Sequence, residues 1–263
     1  MNKMLYMGTN LKMYKTTKET VSYLTELHEL TRDIDRTELT LFVIPSYTSL
    51  ESARKCVPQE SIKLGAQNMY WEDQGQFTGE ISPLMIKETG AEIIEIGHSE
   101  RRHVIGETDQ QENKKVLAAL RHEFTALLCI GETKEQKDLH ISDEVLGTQL
   151  KIGLSGVTKQ ELGRIWIGYE PVWAIGVNGI PASADYADEK HGVIKSVLRE
   201  MFGEDAAKVP VLYGGSVNPE NAPELIVKEN IDGLFVGRSA WNAPAFNSLI
   251  RQVMPLYKLK FKK

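Results

Sequence analysis

Short apolar runs alternate along the chain with longer stretches that repeat apolar residues at helical spacing. Residues 4–10 have a strand pattern, and residues 17–30 carry Val21, Leu24, Leu27 and Leu30 at helical spacing behind a threonine cap. Runs at 39–44, 62–67, 93–97, 126–130, 164–169, 209–213 and 233–236 also read as strands, each followed by helical periodicity. That makes about eight strand–helix units, the number a closed (β/α)8 barrel requires, and no linker, low-complexity segment or domain boundary interrupts them. The expectation is an α/β protein, a single-domain barrel over residues 1–263, with 257–263 a basic, solvated tail.

Composition narrows this picture without changing it. A length of 263 residues with 41% hydrophobic content suits one large core, although two small domains also fit the length. The net charge of −5 argues against a nucleic acid partner. Cys56 and Cys129 stand far apart with no Cys-x-x-Cys pair, so neither a disulfide framework nor a thiolate zinc site is expected, and the reducing cytoplasm is the expected compartment. No apolar run is long enough to span a bilayer, and residues 1–6 lack the apolar stretch of a signal peptide. No membrane partner, metal or cofactor is expected.

Barrels of this kind keep their chemistry where the strands end and the βα loops converge. The first strand ends in Asn10-Leu11-Lys12, the fourth in Gly97-His98-Ser99-Glu100-Arg101-Arg102, the sixth in Glu170, the seventh in Tyr213-Gly214-Gly215-Ser216 and the eighth in Val236-Gly237-Arg238-Ser239. Pro171 biases Glu170 towards an extended conformation, which stops the strand with a carboxylate at its edge. Pro171-Val172-Trp173 then makes a stiff entry, Asn178-Gly179 a turn and Pro181 a stiff exit, as in a hinged lid; a solvated surface loop is the alternative. Ser99 and Glu100 read as a helix start, and amides there disfavour an imidazolium at His98, leaving a neutral ring that polarises a carbonyl. On one face, Glu170 reads as a carbon-acid base and Lys12 as the cation that offsets an anionic intermediate. The glycines at 214, 215 and 237 let backbone N–H groups approach a phosphate; tight turns are the alternative. Gly-Lys-Ser/Thr, Gly-x-Gly-x-x-Gly, Gly-x-Ser-x-Gly and His-Glu-x-x-His signatures are all missing, which removes the usual marks of nucleotide, dinucleotide, serine-hydrolase and zinc chemistry.

Asn10-x-Lys12, the 97–102 segment, Tyr169-Glu170-Pro171-Val172-Trp173-Ala174-Ile175-Gly176 and Tyr213-Gly214-Gly215-Ser216-Val217 together resemble the triosephosphate isomerase family from end to end. In triosephosphate isomerase itself a glutamate base, a neutral histidine and a closing loop do the work, so those roles for Glu170 and His98 follow the family. The resemblance implies a TIM barrel, Glu170 as base, His98 as electrophile and proton shuttle, and Asn10 and Lys12 as binders of substrate and intermediate. It implies phosphate capture by the backbone of Gly176, Ser216, Gly237 and Arg238, and a lid of Pro171, Val172, Trp173, Ala174, Ile175, Gly176 and Val177. Ser99 and Glu100 are implied to steady Lys12 and the histidine ring. The family is dimeric, which implies a homodimer in which the loop over 67–80 reaches the neighbouring subunit and Thr78 touches its site. Cys129 reads as a buried structural thiol.

Three segments near the substrate depart from the family pattern. The usual Asn-Trp-Lys is Asn10-Leu11-Lys12, the lid tip lacks its usual Thr-Gly-Lys, and the usual Gly-Gly-Ala-Ser is Gly237-Arg238-Ser239-Ala240. If Asn10 and Lys12 face inward, Leu11 faces away. The altered lid and the segment from Gly233 to Trp241 resemble a branch that isomerises erythrulose phosphates in tetritol catabolism. The expected reaction is therefore L-erythrulose 1-phosphate to D-erythrulose 4-phosphate, with the glycolytic dihydroxyacetone phosphate to glyceraldehyde 3-phosphate reaction and a non-catalytic sugar-phosphate-binding regulator as alternatives.

Overall fold

Eight parallel strands close on themselves, each returning through helix. The computed structural model describes residues 4–176 and 179–261. In chain order these are β1 (Leu5–Asn10), α1 (Thr17–Thr31), β2 (Leu39–Ile44), α2 (Leu50–Cys56), β3 (Lys63–Ala66), α3 (Pro83–Glu88), β4 (Ile93–Ile96) and α4 (Asp109–Arg121). There follow β5 (Thr125–Ile130), α5 (Lys134–Asp138), α6 (Ser142–Gly153), β6 (Ile165–Tyr169), α7 (Ala184–Phe202), β7 (Val211–Tyr213), α8 (Ala222–Ile226), β8 (Gly233–Val236) and α9 (Ala243–Leu259). Strand order is sequential, and β1 pairs with β8 through Tyr6 opposite Gly233, which closes the barrel. A side chain at 233 could not fit, because an added Cβ would lie 2.1 Å from the Tyr6 carbonyl oxygen.

Period-two alternation divides the strand side chains between two cores. Phe42, Ile44, Ile93, Leu127, Trp166, Leu212 and Phe235 fill the barrel, while their neighbours Val43, Ile94, Leu128 and Ile167 pack outward among the helices. α1 starts at a reciprocal capping box between Thr16 and Glu19, and Tyr23, Leu24 and Leu27 bury its inner face. Full burial of each leucine contributes about 1.5–3 kcal/mol.

The described part of the basic tail, residues 257–261, is largely packed, contrary to expectation; Lys262 and Lys263 lie outside the described residues. Residues up to Leu259 belong to α9, the Tyr257 hydroxyl donates to the Met4 carbonyl at 3.0 Å, Lys258 pairs with Glu38, and Lys260 donates to the Ile231 carbonyl at 2.8 Å. A buried tyrosine ring on the inner face of the helix draws the flanking lysines onto the barrel, with their stems against protein. No described helix is long and apolar enough to cross a membrane.

Candidate active site

The sixth strand stops one residue before Glu170, whose N–H still donates to the Ile130 carbonyl at 2.7 Å. The backbone is thus held by the sheet while the side chain turns into the strand-end cavity, only 3% exposed. Glycines just past the ends of both neighbouring strands make the space. A Cβ at Gly131 would lie 2.0 Å from the Glu170 carbonyl oxygen, and one at Gly214 would lie 2.8 Å from Glu170 Cγ. After β4, Gly97 adopts φ +75°, and the chain turns into a short helical segment whose Arg101–Ile105 part is π-helical. The Glu100 N–H donates to His98 Nδ1 at 3.2 Å, so Nδ1 is an acceptor and the proton of the neutral ring sits on Nε2. Nε2 lies 3.8 Å from Glu170 Oε1, too far for a hydrogen bond, which leaves both free for a third molecule.

Lys12 takes φ +51°, a left-handed conformation that costs a non-glycine residue about 1–3 kcal/mol and concentrates at functional sites. Its ammonium is 2.6 Å from Glu100 Oε1. Gln67 holds the turn from below, its Nε2 donating to the Lys12 carbonyl at 2.8 Å and to Asn10 Oδ1 at 3.1 Å. Both ends of the Asn10 amide are engaged, since Oδ1 also accepts the Lys12 N–H and Nδ2 donates one hydrogen to Glu95 Oε2, both at 2.6 Å. Leu11 points away into the outer core, as the alternation requires.

Asn10, Lys12, His98 and Glu170 thus line one cavity of about 290 Å³. Gly176, Ser216, Gly237 and Arg238 line it too. Gly176 is at φ +86°, and the exposed Arg238 side chain has no ion-pair partner among the described residues. Of the two residues expected to steady the lysine, Glu100 pairs with its ammonium, whereas Ser99 is buried at the start of the turn. Thr78 is exposed on its loop, away from this chain's own cavity lining. Cys129 is fully buried, and burial followed by the carboxyls of Glu170 and Glu95 pushes its thiol well above the usual range, which fits an inert structural thiol.

The expected lid entry forms a single turn, Val172–Ala174, pinned by Glu132. This carboxylate, fully buried, accepts Trp173 Nε1 at 2.9 Å and the hydroxyls of Tyr186 at 2.8 Å and Tyr169 at 3.1 Å. Ser216 Oγ donates to the Ala174 carbonyl at 2.6 Å. Val177 and Asn178, in the expected lid tip, lie outside the described residues.

Glu95 and Glu132 carry no role in the sequence reading. Glu132 stands beside a glycine after β5 and gives no local sign of its three donors. Glu95 does leave a sign, a charge inside the apolar run Ile93-Ile94-Glu95-Ile96. Glu95, His98 and Glu170 place three donor atoms within 4.8 Å of one another, an arrangement that can hold a cation or hand on a proton.

Comparison with known proteins agrees with this geometry. The profile of the Triosephosphate isomerase family matches residues 5–253. L-erythrulose-1-phosphate isomerase of Rhizobium etli is 47% identical over 251 residues, covering 95% of this chain and 92% of that protein. The enzyme of the same name from Brucella abortus is 45% identical over 247 residues, covering 93% and 94%. Among solved structures, triosephosphate isomerase from Bartonella henselae is 34% identical, with a TM-score of 0.84 and coverage of 94% and 98%. By profile match, identity and superposed fold, the chain belongs to the triosephosphate isomerase family.

Proposed function

We propose that this protein is a sugar-phosphate isomerase that converts L-erythrulose 1-phosphate to D-erythrulose 4-phosphate. The observation that carries the chemistry is the convergence of Glu170, neutral His98, Lys12 and Asn10 on one cavity. The relatives named for this reaction, at 42–47% identity over most of both chains, support the substrate.

Glu170 removes the proton from the hydroxyl-bearing carbon beside the carbonyl, and the electron pair moves onto the carbonyl oxygen to form an enediolate. His98 Nε2–H polarises that oxygen and passes a proton between the two oxygens, while Lys12 offsets the developing charge. Glu170 then returns its proton to the former carbonyl carbon. The carbonyl has moved by one carbon with no net redox change. The backbone at Gly176, Ser216, Gly237 and Arg238 grips the phosphate, and the lid from Pro171 to Val177 excludes water. No cofactor takes part.

Substrate choice tests this reading. The expected kcat/KM for L-erythrulose 1-phosphate exceeds that for dihydroxyacetone phosphate by roughly 10–200-fold, the range for a pocket with room for one more hydroxymethyl group. The lid tip and the eighth loop, where Arg238 has no ion-pair partner among the described residues, are the places where this chain leaves the triose pattern. Both substrates are assayed with one preparation, product identity being read by NMR. Equal or better efficiency on the triose phosphate returns the protein to triose chemistry.

A homodimer belongs to the same proposal. Gln67 ties the base of the 67–80 loop to Asn10 and Lys12, while the apolar residues Met13 and Phe77 beyond those anchors are 95% and 41% exposed. Replacing Thr78 and shortening the loop beyond Gln67 is expected to give monomers with at least about tenfold lower activity, since misplaced substrate-binding groups readily cost that much. Sedimentation with parallel assay checks it, and a fully active monomer refutes it.

A further inference from the structure

Strand β4 contains one residue that its apolar environment does not explain. The alternation that turns Ile93 into the barrel turns Glu95 the same way, and Glu95 is fully buried. Its Oε2 accepts the Asn10 amide, whereas Oε1 has no hydrogen-bond partner among the described residues. Glu170 Oε2 is equally unpartnered. An apolar residue like the rest of β4 would leave no buried oxygen unsatisfied, so Glu95 costs stability where it stands.

A buried carboxyl with one neutral donor is poorly stabilised as an anion, and a second carboxylate nearby disfavours it further. Burial first and then the charge of Glu170 raise the Glu95 pKa well above the usual carboxylate range; Glu100 adds to this, and the Asn10 hydrogen bond and Lys12 oppose it. The neighbouring Cys129 is a neutral thiol and His98 a neutral ring, so neither supplies a compensating charge. Of the two carboxyls, Glu170 reaches the cavity and Glu95 lies behind it.

We propose that Glu95 is a positioning residue for the isomerisation, a neutral acid whose Oε2 fixes the amide of Asn10 and whose Oε1 hydroxyl orients the carboxylate of Glu170. This rests on Glu170 being the base. One ligand atom each of Glu95, His98 and Glu170 lies within 4.8 Å of the others, a separation that one bridging water making two hydrogen bonds of about 2.7 Å spans. Asn10 is locked in the same way. Its oxygen is committed to Lys12 and Gln67 and its NH₂ to Glu95, so the amide cannot flip without breaking all three contacts.

The test compares Glu95→Leu, Glu95→Gln and Glu170→Gln with the wild type by steady-state kinetics, thermal unfolding and infrared spectroscopy of protonated carboxyls at neutral pH. Glu95→Leu is expected to lower kcat on the order of 10², the scale of a misplaced reacting group, with KM changed by less than about threefold. Glu95→Gln, which keeps a carbonyl for Asn10 and offers N–H in place of O–H, is expected to stay within about tenfold of wild-type kcat. Its infrared spectrum should lose one protonated-carboxyl band, the one Glu95 supplies. Wild-type kcat in a folded Glu95→Leu, a Glu95→Gln as slow as Glu95→Leu, or an unchanged infrared band overturns the proposal. If Glu95→Leu does not fold, the Glu95→Gln rate and the band decide. An active Glu170→Gln removes the base assignment and this role with it, whereas an inactive Glu170→Gln beside an unaffected Glu95→Leu removes this role alone.

Discussion

Glu170→Gln is expected to fold normally, to keep its affinity for phosphate ligands, and to lose on the order of 10²–10⁴ in turnover, the usual contribution of a positioned general base. The amide has nearly the shape of the carboxylate and cannot accept the carbon-bound proton. Folding should survive because what fixes this position is backbone: the Glu170 N–H to the Ile130 carbonyl, and the close passage of Gly131. No described side chain donates to Glu170 Oε2, so the substitution removes no structural hydrogen bond there. The measurement is kcat alongside inorganic phosphate inhibition and the unfolding midpoint. Near-normal turnover ends the mechanism.

His98→Gln is expected to lower kcat by about 10²–10³ while KM changes far less, as for removal of one donor at a developing oxyanion. The geometry specifies why kcat carries the loss. The Glu100 N–H occupies Nδ1, so the ring offers its single N–H from Nε2, on the side of Glu170, and a donor placed there matters most when the oxygen gains charge. Glutamine offers a donor on a flexible arm without the ring's backbone anchor. A change confined to KM shows that His98 only binds.

The barrel was legible because side-chain spacing is a local property. Val21, Leu24 and Leu27 mark a helix face, and Ile93-Ile94 opens a strand, whatever lies elsewhere in the chain. The four cavity groups were legible for a related reason: Asn10, Lys12, His98 and Glu170 stand where apolar runs stop, and strand ends in a parallel barrel share one face. Strand bounds shifted by a residue or two, as with the run at 62–67 that became Lys63–Ala66.

Glu95 shows where local reading ends. In β4 it is one charge among isoleucines; closure of the barrel brings it against Asn10, 85 positions earlier, and into the cluster with His98 and Glu170. The hollow around Glu170 is likewise made by Gly131 on one side, which gives no local sign of this, and Gly214 on the other, which reads in its own segment as a phosphate-loop or turn glycine. Tyr257 reaches Met4 across 253 positions and turns an expected solvated end into a packed one. The sequence by itself determined the alternating elements, the strand-end placement of the cavity residues and the family, because these rest on spacing and short motifs within single segments. Which buried oxygen faces which, how much room surrounds the base and what the last helix covers were decided only by the register of closure, since that register sets distances between segments whose local preferences carry no information about one another.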